Sequence, residues 1–241
     1  MTNMKVQQAR ELGDRIALLV ADRQLEQACD ILHPLLAERI PFRLLDVIGE
    51  HVGNESLETV TILLDRLATQ RTMGGWVVIA SVLRQQLARD LPGAFECCRK
   101  CVVAADVWYA TDTFGERVPG PALIAHFDQS LALLEPWRGD SNRWIRRMVG
   151  VAVHFWAKGS RGAAAYPSQA SALLDFLAPM YTEREVDVIK GVGWGLKTLG
   201  RHYPGLVADW LVQQAARPHR ALMLRKATTY LPFELRQRVT K

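Results

Sequence analysis

The stretch RRMVGVAVHF, residues 146–155, aligns without gaps with IKGVGWGLKT, residues 189–198. The two segments are 43 residues apart, a distance typical of two-helix repeats of the HEAT type. Each segment places apolar residues at helical spacing, which predicts a helix with one packed side. A repeat of paired helices indicates an α-solenoid, in which the inner helices of successive repeats line a concave surface.

Helical periodicity recurs along the whole chain between proline, glycine and asparagine breaks, and strand alternation is missing. We predict an all-α fold, an α-solenoid of HEAT-like helix pairs forming one curved domain over residues 1–241 with a basic concave surface. The longest predicted loop, GSRGAAAYP, covers residues 159–167. The predicted helices span residues 3–21, 24–39, 43–52, 55–70, 74–89, 92–105, 107–117, 121–135, 142–157, 168–180, 184–202, 205–216 and 218–230, with a short tail from 233.

The composition, 49% hydrophobic and 23% charged, is ordinary for a soluble globular protein. Its apolar runs are too short to cross a bilayer. The first segment, MTNMKVQQARELGDRIALLV, is periodic and charged rather than signal-like. We therefore expect a cytoplasmic protein, in a bacterial cytosol or nucleoid, that does not bind membranes.

Three of the four cysteines, Cys97, Cys98 and Cys101, fall in the segment FECCRKC, which contains a CxxC motif. A zinc site needs two further ligands, and the sequence has no second CxxC and no paired-histidine motif. We interpret these cysteines as small buried residues on one helix. The sequence predicts neither a metal nor a cofactor.

The net charge of +5 is unevenly distributed. Residues 1–140 carry 14 Lys/Arg and 19 Asp/Glu, whereas residues 141–241 carry 16 Lys/Arg and 6 Asp/Glu. A basic half joined to an acidic half fits a face that binds a polyanion. A solvated surface without a partner fits this composition equally well.

Two polar stripes lie in the aligned segments, at helical positions i, i+4, i+7 and i+11. Because apolar residues fill the other positions, we expect both stripes to lie opposite or beside the packing face and to bind a phosphodiester backbone. Trp194 adds a contact for a base or sugar, or it packs against a neighbouring helix. The first stripe is Arg143, Arg147, Gly150 and His154, and the second is Lys190, Trp194, Lys197 and Arg201.

The glycines at 150, 191, 193 and 195 weaken a helix but leave room beside it. They allow a ligand to approach the backbone closely, or they permit tight packing between helices. The segment GVGWG is not a dinucleotide-binding motif, because its spacing differs and no strand precedes it.

The segment DVWYATDTFGERVPGP, residues 106–121, places Trp108 and Asp112 four residues apart, on one face of a helix. Taken alone, Asp112 is a structural acid that pairs with Arg117 or Arg147 or caps a helix. Glu116 is expected to form a surface ion pair with its neighbour Arg117.

Three short motifs, W-x-x-x-D at 108–112, W-I-R-R at 144–147 and V-G-W-G-L at 192–196, occur in this order ahead of YPGLVADWLVQQAARPHRALMLRKATTYL. Together they resemble the AlkD-like alkylpurine DNA glycosylases, HEAT-like repeat proteins that repair alkylated DNA. The resemblance covers residues 74–231 and leaves residues 1–70 as divergent N-terminal helices. One acidic position of the family's second aromatic–acid pair is lost at Tyr109–Ala110.

The resemblance implies roles for four residues. Asp112 corresponds to the catalytic carboxylate, Trp108 and Trp194 to aromatic walls beside the lesion, and Arg147 to the arginine that grips the DNA backbone. It implies a monofunctional glycosylase that releases cationic N3- or N7-alkylated purines from duplex DNA, acting as a monomer without an obligate protein partner. Asp112 would stabilise the oxocarbenium-like state and position water.

Two other functions fit the same residues. The chain would be a non-catalytic HEAT-like protein that binds bent or branched DNA, or a helical scaffold whose basic half meets an acidic protein. Base release separates the first hypothesis from both others, and DNA binding at low salt separates the second from the third.

Overall fold

The computed structural model describes residues 4–161 and 166–240. This part of the chain is helical and contains no strand, which confirms the all-α class. Residues 162–165 of the predicted loop GSRGAAAYP lie outside the described residues. The α-helices are α1 (Val6–Ala21), α2 (Leu25–Ala37), α3 (Phe42–Val52), α4 (Leu57–Thr69), α5 (Met73–Gln86), α6 (Leu91–Ala105), α7 (Trp108–Arg117), α8 (Pro119–Ala125), α9 (Phe127–Leu134), α10 (Arg143–Ser160), α11 (Pro167–Leu177), α12 (Val186–His202), α13 (Pro204–Gln214), α14 (Ala221–Ala227) and α15 (Phe233–Thr240).

Local sequence explains where several helices begin. Side-chain oxygens of Ser56, Thr72, Asp90 and Asn142 accept backbone N–H groups in the first turns of α4, α5, α6 and α10. Prolines predicted to mark breaks instead occupy the first turns of α6, α11 and α13, where their missing N–H costs nothing. For most helices, the predicted first and last residues lie near those of the structure.

Residue contacts divide the chain into two compact units, Met1–Val118 and Pro119–Lys241. In the first unit, α1, α3, α5 and α7 pack side by side as one layer, and α2, α4 and α6 form a second. In the second unit, α8, α10, α12 and α14 form one layer, with α11, α13 and α15 behind it. Alternation of helices between two layers is the packing of an α-solenoid, as predicted. The single domain, the curvature and the basic concave surface stay predictions.

Three predicted helices differ from the structure: one is divided in two, and two are shorter than predicted. The predicted helix 121–135 is two helices, α8 and α9, because His126, with φ −138° and ψ 58°, has non-helical backbone angles and caps the start of α9. The predicted helix 168–180 ends at Leu177 and continues as a 3₁₀ helix, Ala178–Thr182, with Pro179 in its first turn. A second 3₁₀ helix, Glu135–Gly139, follows α9. The predicted helix 218–230 contains only the seven residues of α14.

Five tryptophans interpreted as core or packing residues are buried: Trp76, Trp137, Trp144, Trp156 and Trp210. The cysteines of FECCRKC all lie on α6. Cys98 and Cys101 are buried, as predicted, whereas Cys97 is partly exposed.

Candidate nucleic-acid interface

Helix α7 has one packed side and one side facing solvent. Its packed side includes Ala110, Thr111 and Phe114, which are fully buried, and the Phe114 ring lies 6.1 Å from that of Trp76 on α5. On the other side, Trp108 is 56% exposed and Asp112 is partly exposed. The prediction that Trp108 and Asp112 lie four residues apart on one face of a helix is confirmed, and the structure adds that this face is accessible.

The C-terminal end of α7 is held by ion pairs. Arg117 donates from Nε and Nη2 to the two carboxylate oxygens of Asp46, at 2.7 and 3.1 Å. It also pairs with Glu116 at 2.9 Å. The predicted Glu116–Arg117 pair is therefore present, but it is not a surface pair, because Arg117 is only 7% exposed. Arg117 thus bridges the carboxylates of Asp46 and Glu116.

The stripe on α10 does not lie where the sequence predicted. Arg143 is exposed, with its guanidinium 4.6 Å from the centre of the Trp144 ring. Arg147, however, is 6% exposed, and its Nη1 donates to the carbonyl oxygen of Asp187 at 3.0 Å. Gly150 and His154 are buried as well. The expectation that this stripe lies opposite or beside the packing face is wrong for Arg147, Gly150 and His154, which lie on the face that packs against α12.

Glycine makes this helix pair unusually close. A Cβ on Gly150 would lie 2.3 Å from the carbonyl carbon of Gly191. A Cβ on Gly191 would lie 2.6 Å from the carbonyl oxygen of Arg147, and one on Gly195 would lie 2.7 Å from that of Gly150. Real Cβ atoms do not approach other atoms so closely, so these three glycines serve helix packing. Of the two interpretations of the glycines, the structure supports this one.

His154 is a neutral packing residue. Its Nδ1 lies 2.7 Å from Oγ1 of Thr198, and this hydroxyl donates to the carbonyl oxygen of Trp194 at 3.0 Å. The hydroxyl therefore accepts from Nδ1–H. Burial, together with the positive charges of Lys158 and Lys197, lowers the pKa of His154 to about 4. At neutral pH His154 therefore adds no positive charge to the stripe, which weakens its predicted contact with the phosphodiester backbone.

Trp194 is partly packed, in line with one of its two interpretations. Its ring stacks on His154 with centroids 3.7 Å apart and planes 19° apart. The edge of Phe155 approaches it at 5.7 Å. The indole is still partly exposed, so the same ring is fixed on one side and accessible on another.

The second stripe lies on the accessible side of α12. Lys190 and Arg201 are exposed, and Lys197 is partly exposed. Lys190 pairs with Asp187 at 3.1 Å. Lys197 Nζ lies 4.4 Å and the Arg201 guanidinium 5.2 Å from the centre of the Tyr230 ring. The expected exposure of this stripe is confirmed, and Tyr230 orders two of its cations.

Lys226 on α14 joins this cationic surface, and the sequence analysis did not identify it. Its stem covers Gly193, where an added Cβ would lie 2.7 Å from Cβ of Lys226. Partial burial lowers the pKa of Lys226, and the nearby charges of Lys197, Arg147, Lys190 and Arg225 lower it further. The sequence does not predict this contact, because α14 packs on α12 at Gly193 and residue spacing does not show which side chain covers a glycine. We call Lys190, Lys197, Arg201 and Lys226 the α12–α14 cationic face.

Within the part of the chain that the structure describes, no helix is both long enough and apolar enough to span a bilayer. This observation agrees with the short apolar runs of the sequence.

Comparison with protein families matches residues 48–231 to the family described as DNA alkylation repair enzyme. The match covers more than half of the chain and begins closer to the N-terminus than the resemblance at residues 74–231. Searches of curated proteins and of solved structures gave no significant match. The family match includes α7, α10, α12 and α14, and it confirms the resemblance carried by the three motifs. The chain therefore belongs to the DNA alkylation repair enzyme family.

Proposed function

We propose that this protein is a monofunctional DNA glycosylase that hydrolyses the N-glycosidic bond of cationic N3- or N7-alkylated purines in duplex DNA. The observation that carries the proposal is the accessible face of α7, where Trp108 and Asp112 lie one turn apart in a chain of the alkylation repair family. A carboxylate on a solvent-facing helix side can meet a polymeric substrate without a deep pocket.

The reaction needs few protein groups. The bond between C1′ and the purine nitrogen breaks, and its electron pair neutralises the positive charge of the alkylated base. Positive charge then develops on the sugar, where the Asp112 carboxylate stabilises it. A water oxygen forms the new bond to C1′, and Asp112 accepts the proton that this water loses. A cationic base is already a good leaving group, so the proposal requires no general acid.

The two accessible indoles have related roles in this proposal. The exposed ring of Trp108 lies beside Asp112, where it attracts a cationic base or sugar by about 0.5–2 kcal/mol. A neutral, undamaged nucleotide gains less from the same ring, which favours damaged DNA at the chemical step. Trp194 is proposed as a second aromatic contact, made rigid by its stacking on His154.

Backbone binding is assigned to the α12–α14 cationic face together with the exposed Arg143. Each phosphate that these side chains neutralise releases counterions, so affinity should fall steeply with salt. Arg147 is proposed to act through its positive charge near Lys226, since its guanidinium contacts the Asp187 carbonyl. His154 is proposed to support Trp194, because a neutral imidazole does not attract phosphate.

The decisive experiment measures base release from duplex DNA methylated to contain 3-methyladenine and 7-methylguanine. We expect wild-type protein to release base in single turnover, and Asp112→Asn to do so about 100- to 1000-fold more slowly. DNA affinity should stay within about twofold. Asp175→Asn is the matched control, because it removes the same charge from an exposed position on α11; it should release base at the wild-type rate.

Equal rates for wild type and Asp112→Asn would contradict the mechanism. Binding without any base release, lost in Lys197→Ala and insensitive to Asp112, would instead select the non-catalytic DNA-binding protein. Lack of DNA binding at low salt would favour the scaffold that meets an acidic protein. Because no lysine nucleophile is proposed, borohydride should trap no covalent adduct with DNA.

A further inference from the structure

One carboxylate joins three helices of the first unit. The Asp46 side chain on α3 accepts two hydrogen bonds from Arg117 at the end of α7. Ser81 Oγ on α5 donates to the same Asp46 Oδ1 at 2.7 Å. We call Asp46, Ser81 and Arg117 the α7 clamp.

The clamp is charged and directional. Burial disfavours the charged guanidinium, but hydrogen bonding to Asp46 and the charges of Asp46 and Glu116 outweigh burial, so the pKa of Arg117 is raised. A guanidinium that meets both oxygens of a carboxylate fixes orientation as well as distance. Apolar contacts alone allow a short helix to rotate or slide more easily than such a two-point contact does.

The clamp lies on the packed side of the helix that carries Asp112. Helix α7 has only 10 residues, and Arg117 follows Asp112 by five. Between them, Phe114 packs against Trp76. Holding Phe114 and Arg117 in place sets the direction of the opposite side of α7, where Trp108 and Asp112 project. A displacement of about 1 Å at a reacting group costs about 100-fold in rate.

We propose that Asp46, acting through Arg117, is a positioning residue that aims the Trp108–Asp112 face of α7 at the substrate. This inference rests on the proposed glycosylase function, and it assigns a role to an acid outside the motifs that resemble the family. Asp46 touches no substrate in this proposal. Its effect reaches the reaction through the orientation of one helix.

The test compares three variants in single-turnover base release with protein in excess over DNA. Asp46→Asn keeps the shape of the side chain and removes its charge; we expect the rate per folded protein to fall about 10- to 100-fold with DNA affinity unchanged. Ser81→Ala keeps the ion pair and should slow release about two- to fivefold. Glu50→Gln is the matched control, one turn further along α3, where Glu50 lies 4.0 Å from Arg84; it should match wild type.

A second readout does not depend on activity. Protein carrying 5-fluorotryptophan gives fluorine NMR signals, and the Trp108 signal is assigned by its loss in Trp108→Phe. We expect Asp46→Asn to shift the Trp108 signal and Glu50→Gln to leave it in place. Circular dichroism of each variant gives the folded fraction, and if Asp46→Asn does not fold, Ser81→Ala carries the same comparison.

The outcomes separate this inference from the proposed function. Wild-type base release with an unchanged Trp108 signal in both Asp46→Asn and Ser81→Ala would overturn the positioning role. A lower unfolding temperature without a change in the rate per folded protein would overturn it as well, since a purely structural clamp behaves that way. A wild-type protein that releases no base contradicts the glycosylase, whereas a shifted Trp108 signal in Asp46→Asn would still support the clamp's control of α7.

Discussion

Helices α7 and α10 both carry predicted site residues at helical spacing, but those residues are accessible on α7 and mostly buried on α10. On α7, Trp108 and Asp112 face solvent while Phe114 packs against α5. On α10, Arg147 and the other interior members of the stripe face α12. The difference shows that a polar residue at helical spacing is buried where a glycine of the neighbouring helix lies opposite it, as Gly191 lies opposite Arg147.

The physical reason lies in the residues opposite each stripe. Gly191 has no side chain, so the stem of Arg147 lies across it and the guanidinium reaches a backbone carbonyl. Long cationic side chains bury their stems readily when the charged end finds an acceptor. Helix α7 has no such arrangement for Trp108, whose indole is more than half exposed.

The largest effect is expected from adding a side chain where α10 packs against α12, which tests whether glycine explains the buried stripe. Gly150→Ala places a Cβ against the backbone of Gly191, and we expect it to lower the free energy of unfolding by about 3 kcal/mol. Urea denaturation followed by circular dichroism measures this effect. Gly205→Ala is the control, because beyond its chain neighbours and its own helix backbone no atom of the described residues lies within 4 Å of its added Cβ. Equal stability of the two variants would mean that α10 and α12 are not held at this distance.

Protonation of His154 tests whether the stripe is truly buried. The pKa of His154 lies at about 4 in the folded protein, against 6.5 ordinarily, so the unfolded chain binds a proton first as the pH falls. The stability that His154 contributes is complete above pH 6.5 and is lost as the pH falls toward 4. We expect a loss of about 2 kcal/mol from this residue at about pH 5.

Urea denaturation at about pH 7 and pH 5 measures the loss, and His154→Gln isolates the part due to this imidazole. The variant should lose about 2 kcal/mol less than wild type between the two pH values. An identical pH dependence in both proteins would show that the imidazole is solvated, as a stripe beside the packing face would require.

The smallest expected effect is on the salt dependence of DNA binding, which shows whether the DNA backbone contacts the α12–α14 cationic face or helix α10. Lys197→Ala and Lys226→Ala should each weaken binding by about 1 kcal/mol and reduce the slope of log affinity against log salt by about one. Fluorescence anisotropy with a labelled duplex measures both quantities. His154→Gln should leave the slope unchanged, and so should Lys100→Ala on α6 in the first unit. A slope that changes with His154 but not with Lys226 would assign the backbone contact to α10.

Much of the fold could be predicted because helical periodicity and breaks are local properties. Trp108 and Asp112 share a face through spacing alone, and five tryptophans were correctly placed in the interior. The break at His126 could not be predicted, because the segment PALIAHFDQSLALL contains no glycine and no internal proline to mark it.

The candidate site was harder to predict than the fold. Arg147 and Lys190 align in the sequence repeat, but only Lys190 is exposed, because exposure depends on which neighbour lies opposite each residue. Lys226 and the α7 clamp were missed for the same reason. Asp46 and Arg117 are 71 residues apart, and no spacing rule joins them.

The close contact of Gly150 with Gly191 has a consequence for protein engineering. Two helices that meet backbone to backbone cannot be replaced independently, since a foreign partner with larger residues at the crossing would collide. Chimeras between members of this family should therefore exchange α10 and α12 as one cassette, with junctions before the Asn142 cap and after Tyr203. A cassette cut between the two helices would yield mostly insoluble products.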